Sequence, residues 1–153
     1  MKKLLFSLCF ILILGLGISR AQNSSSGGPG YETALGIRLG YPFGITMKHF
    51  ISSQNALEGV VGVGYGFNLT GLYEHYMPIG GAPGLNWYVG AGLSFYSWQN
   101  YGASLGIIGA LGLDYKFSGA PIDLSLDWLP GIYVSGYDGF AAGGGGLGIR
   151  YTF

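Results

Sequence analysis

The residue types able to do chemistry are few in this chain, and their spacing is the first thing to weigh. Its histidines are His49 and His75, on different predicted strands, and they form neither an HxH nor an HxxxH pair. A metal site built from side chains wants ligands that one turn or one strand can bring together, so no metal is expected. A lipid-modifying hydrolase would need a nucleophile, a base and an orienting acid. His75 is followed by Tyr76 and Met77, and His49 has Ser52 three positions on, so neither completes such a set. Asp123 and Asp127 have the look of paired carboxylates, yet they alternate with Leu124, Leu126 and Trp128, which places them on one face of a strand. The run Gly143–Gly146 lacks the Lys-Ser/Thr of a phosphate loop and no helix follows it. It reads as glycine that lets two strands approach closely. No catalytic residue, metal ligand or cofactor is expected, and the chain is not read as an enzyme.

What positions these residues begins with the two ends of the sequence. Residues 1–21 read as a secretory signal peptide: Met1-Lys2-Lys3 is basic, residues 4–18 are apolar with glycine, and Ser19-Arg20-Ala21 offers small residues before a cleavage point. Fifteen apolar residues fall short of the roughly 20 that a spanning helix needs. Cys9, the one cysteine, lies inside that run after Leu8, which does not fit a lipoprotein signal. Cleavage would leave four basic against seven acidic residues, a net charge of −3, and no thiol. Nucleic acid, which wants a basic patch, is not an expected partner. Residues 22–30 are a Gly/Ser-rich flexible lead-in, and residues 31–153 make one domain.

From Tyr31 the period is two. Along 31–41, Leu35, Ile37 and Leu39 take one face while Glu32, Gly36, Arg38 and Gly40 take the other. The alternation recurs in 57–67, 86–96, 105–117, 122–128 and in a last strand of 147–153, and less cleanly in 44–51 and 69–79, making eight strands. Turn residues separate them, including Ser52-Ser53-Gln54-Asn55, Phe67-Asn68, Ala82-Pro83-Gly84 and Ser135-Gly136. Charged residues are only 9% of the chain and aromatics 16%, against about 25% charged in an average soluble domain. A surface so poor in charge suits lipid better than water. In hydrocarbon every backbone N–H and C=O must be paired internally, and with no helical apolar stretch after residue 21 a closed barrel remains. The expected fold is therefore all-β, an eight-stranded antiparallel up-and-down transmembrane barrel.

Two patterns support that expectation. Aromatics gather at strand ends, with Tyr31, Trp87, Tyr115, Phe117, Tyr151 and Phe153 assigned to a periplasmic girdle and Tyr41, Tyr65, Phe67 and Phe95 to an outer one. The charges Glu32, Arg38, Lys48, Glu58, Glu74, Asp114, Lys116, Asp123, Asp127 and Arg150 all fall in the phase opposite the apolar face. A charge facing lipid at mid-bilayer costs about 2–4 kcal/mol, so these ten are assigned to the lumen, with Arg38 and Arg150 paired to nearby acids.

The final segment Gly146-Leu147-Gly148-Ile149-Arg150-Tyr151-Thr152-Phe153 resembles the C-terminal signal of outer-membrane barrels, which ends in alternating hydrophobics and a terminal Phe. Residues 31–153 are similar to small barrels of the OmpA/OmpX-like type, and most of all to their Bacteroidetes versions, in segments such as NALEG, GLNWYVGAG and DLSLDWLPG. Gln22 also suits the mature N-terminus of that group. The resemblance implies that Gly148, Tyr151 and Phe153 are read by the barrel-assembly machinery, with periplasmic chaperones, on the way to the outer membrane. It departs from the longer members of the type, since no peptidoglycan-binding domain follows Phe153. The expected protein is a monomer in outer-membrane lipid with a structural or surface-interaction role. The alternatives are a narrow pore or small-ligand-binding barrel, for which glycines on the lumen face could leave space, and a lipid-modifying enzyme.

Overall fold

The computed structural model describes residues 28–63, 66–98, 102–135 and 139–153. The expected signal peptide and most of the lead-in, along with Tyr65, lie outside the described residues. Ten strands are assigned: β1 (Thr33–Tyr41), β2 (Gly44–Phe50), β3 (Asn55–Val63), β4 (Phe67–Pro78), β5 (Leu85–Trp98), β6 (Gly102–Lys116), β7 (Ile122–Trp128), β8 (Gly131–Tyr133), β9 (Gly139–Ala141) and β10 (Gly145–Thr152). Each of β1 to β6 pairs antiparallel with the next in sequence, β6 pairs with both β7 and β8, and β10 pairs with both β7 and β1. The β1–β10 pairing, Ala34 against Thr152 through Tyr41 against Gly145, closes the sheet. Since β7 and β8 run on as one wall strand and β9 and β10 as another, the result is a closed eight-stranded antiparallel barrel.

The two interrupted strands sit side by side. Pro130, which has no N–H to donate, separates β7 from β8, and its carbonyl still accepts from Gly109 N at 2.7 Å. Opposite, residues 142–144 separate β9 from β10, and Leu129 N donates to Gly144 O at 2.9 Å. The alternation signal ended at Trp128 and resumed at Leu147, so both extensions toward the loop end of the barrel were not anticipated. The expected turn at Phe67-Asn68 is also corrected. Both residues belong to β4, and the connection falls between Val63 and Phe67. Asn68 turns inward and is buried, a role that a polar residue in a polar lumen can fill. Asn55, expected in a turn, opens β3.

Residues of opposite phase have opposite fates. Among the described residues, thirty-three large apolar or aromatic side chains are exposed, from Ile37 on β1 to Ile149 on β10. The buried set instead holds sixteen polar or charged residues against twelve hydrophobic ones. This inverts the distribution of a water-soluble domain, where charged residues are almost never fully buried unless paired.

Two girdle assignments are overturned. Tyr31 precedes β1, where strand alternation does not yet hold. Its ring packs edge-on against the buried Phe50 at 5.1 Å, so it closes the terminal end of the lumen instead of facing outward. Tyr41 follows Gly40, whose φ of +127° interrupts the alternation. Its ring stacks on inward-facing Tyr96 of β5, 5.4 Å away and nearly parallel at 10°, so it reaches over the mouth at the loop end. Trp87, Tyr115, Phe117, Tyr151, Phe153, Phe67 and Phe95 are exposed on the outer face.

Candidate functional site: the lumen charge network

The barrel interior is organised about Lys48, a fully buried lysine on β2. Cross-strand register sets Lys48 opposite Glu58 of β3, and its Nζ lies 3.0 Å from Glu58 Oε2. The same ammonium is 2.9 Å from Glu74 Oε2 on β4 and 3.9 Å from Asp114 Oδ2 on β6, and it donates to the Tyr76 hydroxyl. It also lies 4.6 Å from the centre of the Tyr88 ring and 5.1 Å from that of Tyr76, within cation–π range. One cation on β2 thus ties together partners on four other strands, β3 to β6.

Two arginines extend the network. Arg150 on β10 faces Asp123 of β7 in register, with Nη1 3.2 Å from Asp123 Oδ2 and 2.8 Å from Ser125 Oγ. Its Nη2 reaches Glu58 Oε2 at 3.4 Å, so Glu58 is shared between Lys48 and Arg150. Glu58 also accepts a hydrogen bond from Thr46. Arg38 on β1 forms a two-pronged pair with Asp127 of β7, one strand beyond its neighbour β10. Tyr88 OH donates to the same carboxylate at 2.9 Å. Such forked pairs fix geometry as well as charge.

Aromatic rings fill the remaining section. Tyr31, Phe50, Tyr76 and Tyr88 form a continuous column inward from the terminal end, with successive centroids 5.1, 4.9 and 4.9 Å apart. The lumen glycines are the places where these groups fit. A methyl at Gly112 would overlap the Tyr88 ring, and one at Gly106 would lie 2.7 Å from Tyr133 Cδ1. At Gly148 it would lie 2.7 Å from Arg150 Nη1 and 2.5 Å from Ser125 Oγ. The glycines that left open the question of a hollow lumen therefore accommodate neighbouring tyrosines and an arginine.

Eight of the ten residues assigned to the lumen are buried and joined in this network: Arg38, Lys48, Glu58, Glu74, Asp114, Asp123, Asp127 and Arg150. Two are not. Glu32 is half-buried before β1 and makes no ion pair with a described residue, its backbone carbonyl accepting from Phe50 N at 2.8 Å. Lys116 is half-buried at the end of β6, where Nζ donates to the carbonyls of Phe117 at 2.7 Å and Ala120 at 2.8 Å. Both stand at the terminal rim, where a turn offers carbonyls or water within reach.

The remaining candidates are placed as follows. His49 and His75 lie half-buried on the outward phase near the terminal end. Their Nδ1 atoms bond cross-strand partners, Thr33 Oγ1 at 2.9 Å and Asn55 Oδ1 at 2.8 Å. Ser52 accepts from Asn55 N at 3.1 Å as part of its own turn. Asp123 and Asp127 go to different arginines. Among the described residues, no group of three or more His, Cys, Asp and Glu is arranged to hold a metal ion. Tyr151 and Phe153 are exposed and pack edge to face at 5.0 Å, while Gly148 lies inward beneath Arg150. The aromatic column was the part not anticipated. Tyr88 and Tyr96 fall on the inward phase of 86–96, but nothing along one strand shows that rings from three strands and from the residues just before β1 will stack.

No protein-family model matches this chain, and comparison with curated proteins and with solved structures finds no match. Function must therefore be read from the site.

Proposed function

We propose that this protein is an integral outer-membrane barrel, exported through a cleaved signal peptide, with a structural or surface-interaction role and no catalysis. The observation that carries the reading is the inverted surface. An outer face of exposed Leu, Ile, Val and aromatic side chains encloses a lumen of paired charges. An apolar patch of more than a few hundred Å² marks an interaction surface, and one that encircles a closed barrel suits lipid. No helix among the described residues is long and apolar enough to cross a membrane, a criterion that does not bear on strands. Exposure of Tyr151 and Phe153 on the outer face suits recognition of Gly148, Tyr151 and Phe153 by the assembly machinery before closure.

Membrane insertion and conductance test the two halves of this reading separately. The refolded chain should co-float with phosphatidylcholine vesicles after a carbonate wash, and release into the aqueous fraction would overturn the membrane assignment. In planar bilayers the inserted protein should be silent, because the Tyr76–Tyr88 stack and the Lys48 cluster occupy the lumen. Steady ion currents would make it a pore.

A further inference from the structure

The lumen is filled near its terminal end and partly hollow near its loop end. A cavity of about 150 Å³ lies there, lined by Tyr41, Tyr96, Tyr133, Thr70, Ser94 and Ala141 among others. Among the described residues, no charged side chain lines it. Tyr96 stacks on Tyr41 and meets Tyr133 edge-on at 5.8 Å, so three rings from β1, β5 and β8 frame the space. Leu129 and Gly144, at the interruption of the two wall strands, form its side.

We propose that this cavity binds one small, uncharged, single-ring aromatic molecule carrying a hydroxyl, a ligand of the phenol class. Size comes first: a cavity of about 150 Å³ has room for a benzene-sized guest. The lining sets the class, since aromatic and aliphatic walls without a charge favour a neutral ring over an ion or a sugar. The hydroxyl follows from the polar pair. Ser94 and Thr70 hydroxyls lie 2.6 Å apart, Thr70 Oγ1 donates to Asn68 Oδ1 at 3.2 Å, and Asn68 Nδ2 donates to Ser94 Oγ at 3.1 Å. Each hydroxyl has one donor and two acceptor positions. With Thr70 donating to Asn68, Ser94 donates to Thr70, so both protons are used and an acceptor position of Thr70 remains. A ligand that donates complements it; one without a donor does not.

The test is a titration of the full-length barrel, folded in detergent, with phenol, benzene and glucose, read on the ring resonances of its tyrosines. Phenol should shift Tyr41, Tyr96 and Tyr133 saturably, and benzene should bind about three- to tenfold more weakly for want of one hydrogen bond. Ala141→Leu fills the cavity from its wall and should abolish saturable binding with the unfolding midpoint retained. Thr70→Val should bring phenol down to the level of benzene. If phenol shifts are unsaturable or persist in Ala141→Leu, the ligand is in the detergent and the site does not exist. Preference for glucose would overturn the aromatic class. The outcome is independent of the membrane assignment, which vesicle flotation reads by itself.

Discussion

Lys48 on β2 and Asp114 on β6 stand four strands apart in a ring of eight, on opposite walls, yet their charged atoms are 3.9 Å from one another. A side chain that reaches across the lumen cannot also leave a channel there. The contact couples the two walls, and Glu58 and Glu74 complete an ammonium site made of three carboxylates.

Removing that ammonium should be the most damaging single change in the lumen. Lys48→Met keeps much of the stem but leaves Glu58, Glu74 and Asp114 facing one another. Breaking a buried pair by deleting one partner costs roughly 3–5 kcal/mol. Urea unfolding of the barrel in lipid vesicles should show a loss of that order, and Glu74→Gln in the Lys48→Met background should recover part of it. Near-neutral behaviour of Lys48→Met would remove the cluster from the account of stability.

Arg38→Lys tests the forked pair with Asp127. Lysine keeps the charge but offers a point donor in place of two parallel N–H groups. The expected loss is about 1.5–3 kcal/mol, the range for a hydrogen bond to a charged group. Tyr88→Phe, which removes the third donor to Asp127, should be less than additive with it in a double-mutant cycle.

Two glycines make a matched comparison of lumen packing. Gly112 on β6 lies under the Tyr88 ring, so Gly112→Ala should cost about 1–3 kcal/mol through overpacking. Gly59 on β3 faces outward, and a methyl there meets nothing within 4 Å. Gly59→Ala should be neutral within about 0.5 kcal/mol or mildly stabilising. Equal effects at the two positions would contradict the packed lumen.

Trp128 links the interrupted wall strands from outside, its indole N–H donating to Ala142 O at 2.7 Å. If that face meets lipid, as proposed, no water replaces the indole when the donor is removed. Trp128→Phe should therefore cost on the order of 1–3 kcal/mol. Amide exchange should rise at residues 139–145 before it rises in β1 or β2. Exchange that rises equally in every strand would assign Trp128 no local role.

The strand count and the orientation of each face were legible in the sequence because side chains alternate with a period of two on any strand, whatever its neighbours. Eight runs such as Leu105-Ile107-Leu111-Leu113 against Gly106-Gly112-Asp114 mark the walls, and the phase of the charges marks the inside. Local departures were less visible. Tyr31 and Tyr41 have the outward phase by number, but one precedes the first strand and the other follows a left-handed Gly40, so neither obeys it. Pro130 reads as a strand end, and only the pairing of β8 to β6 shows that the wall continues beyond it.

The partners were decided by closure. Glu58 with Lys48 and Asp123 with Arg150 are nearest neighbours in register. Lys48 with Asp114, Glu58 with Arg150 and Arg38 with Asp127 are pairs separated by one or more intervening strands. Which inward residues share a level depends on the tilt and stagger with which the sheet meets itself, and a periodic pattern carries no information about either. Alternation in the sequence determined that charges would face inward. Only the closed barrel determined which of them meet, and that tyrosines fill the space beside them up to a small cavity at the mouth.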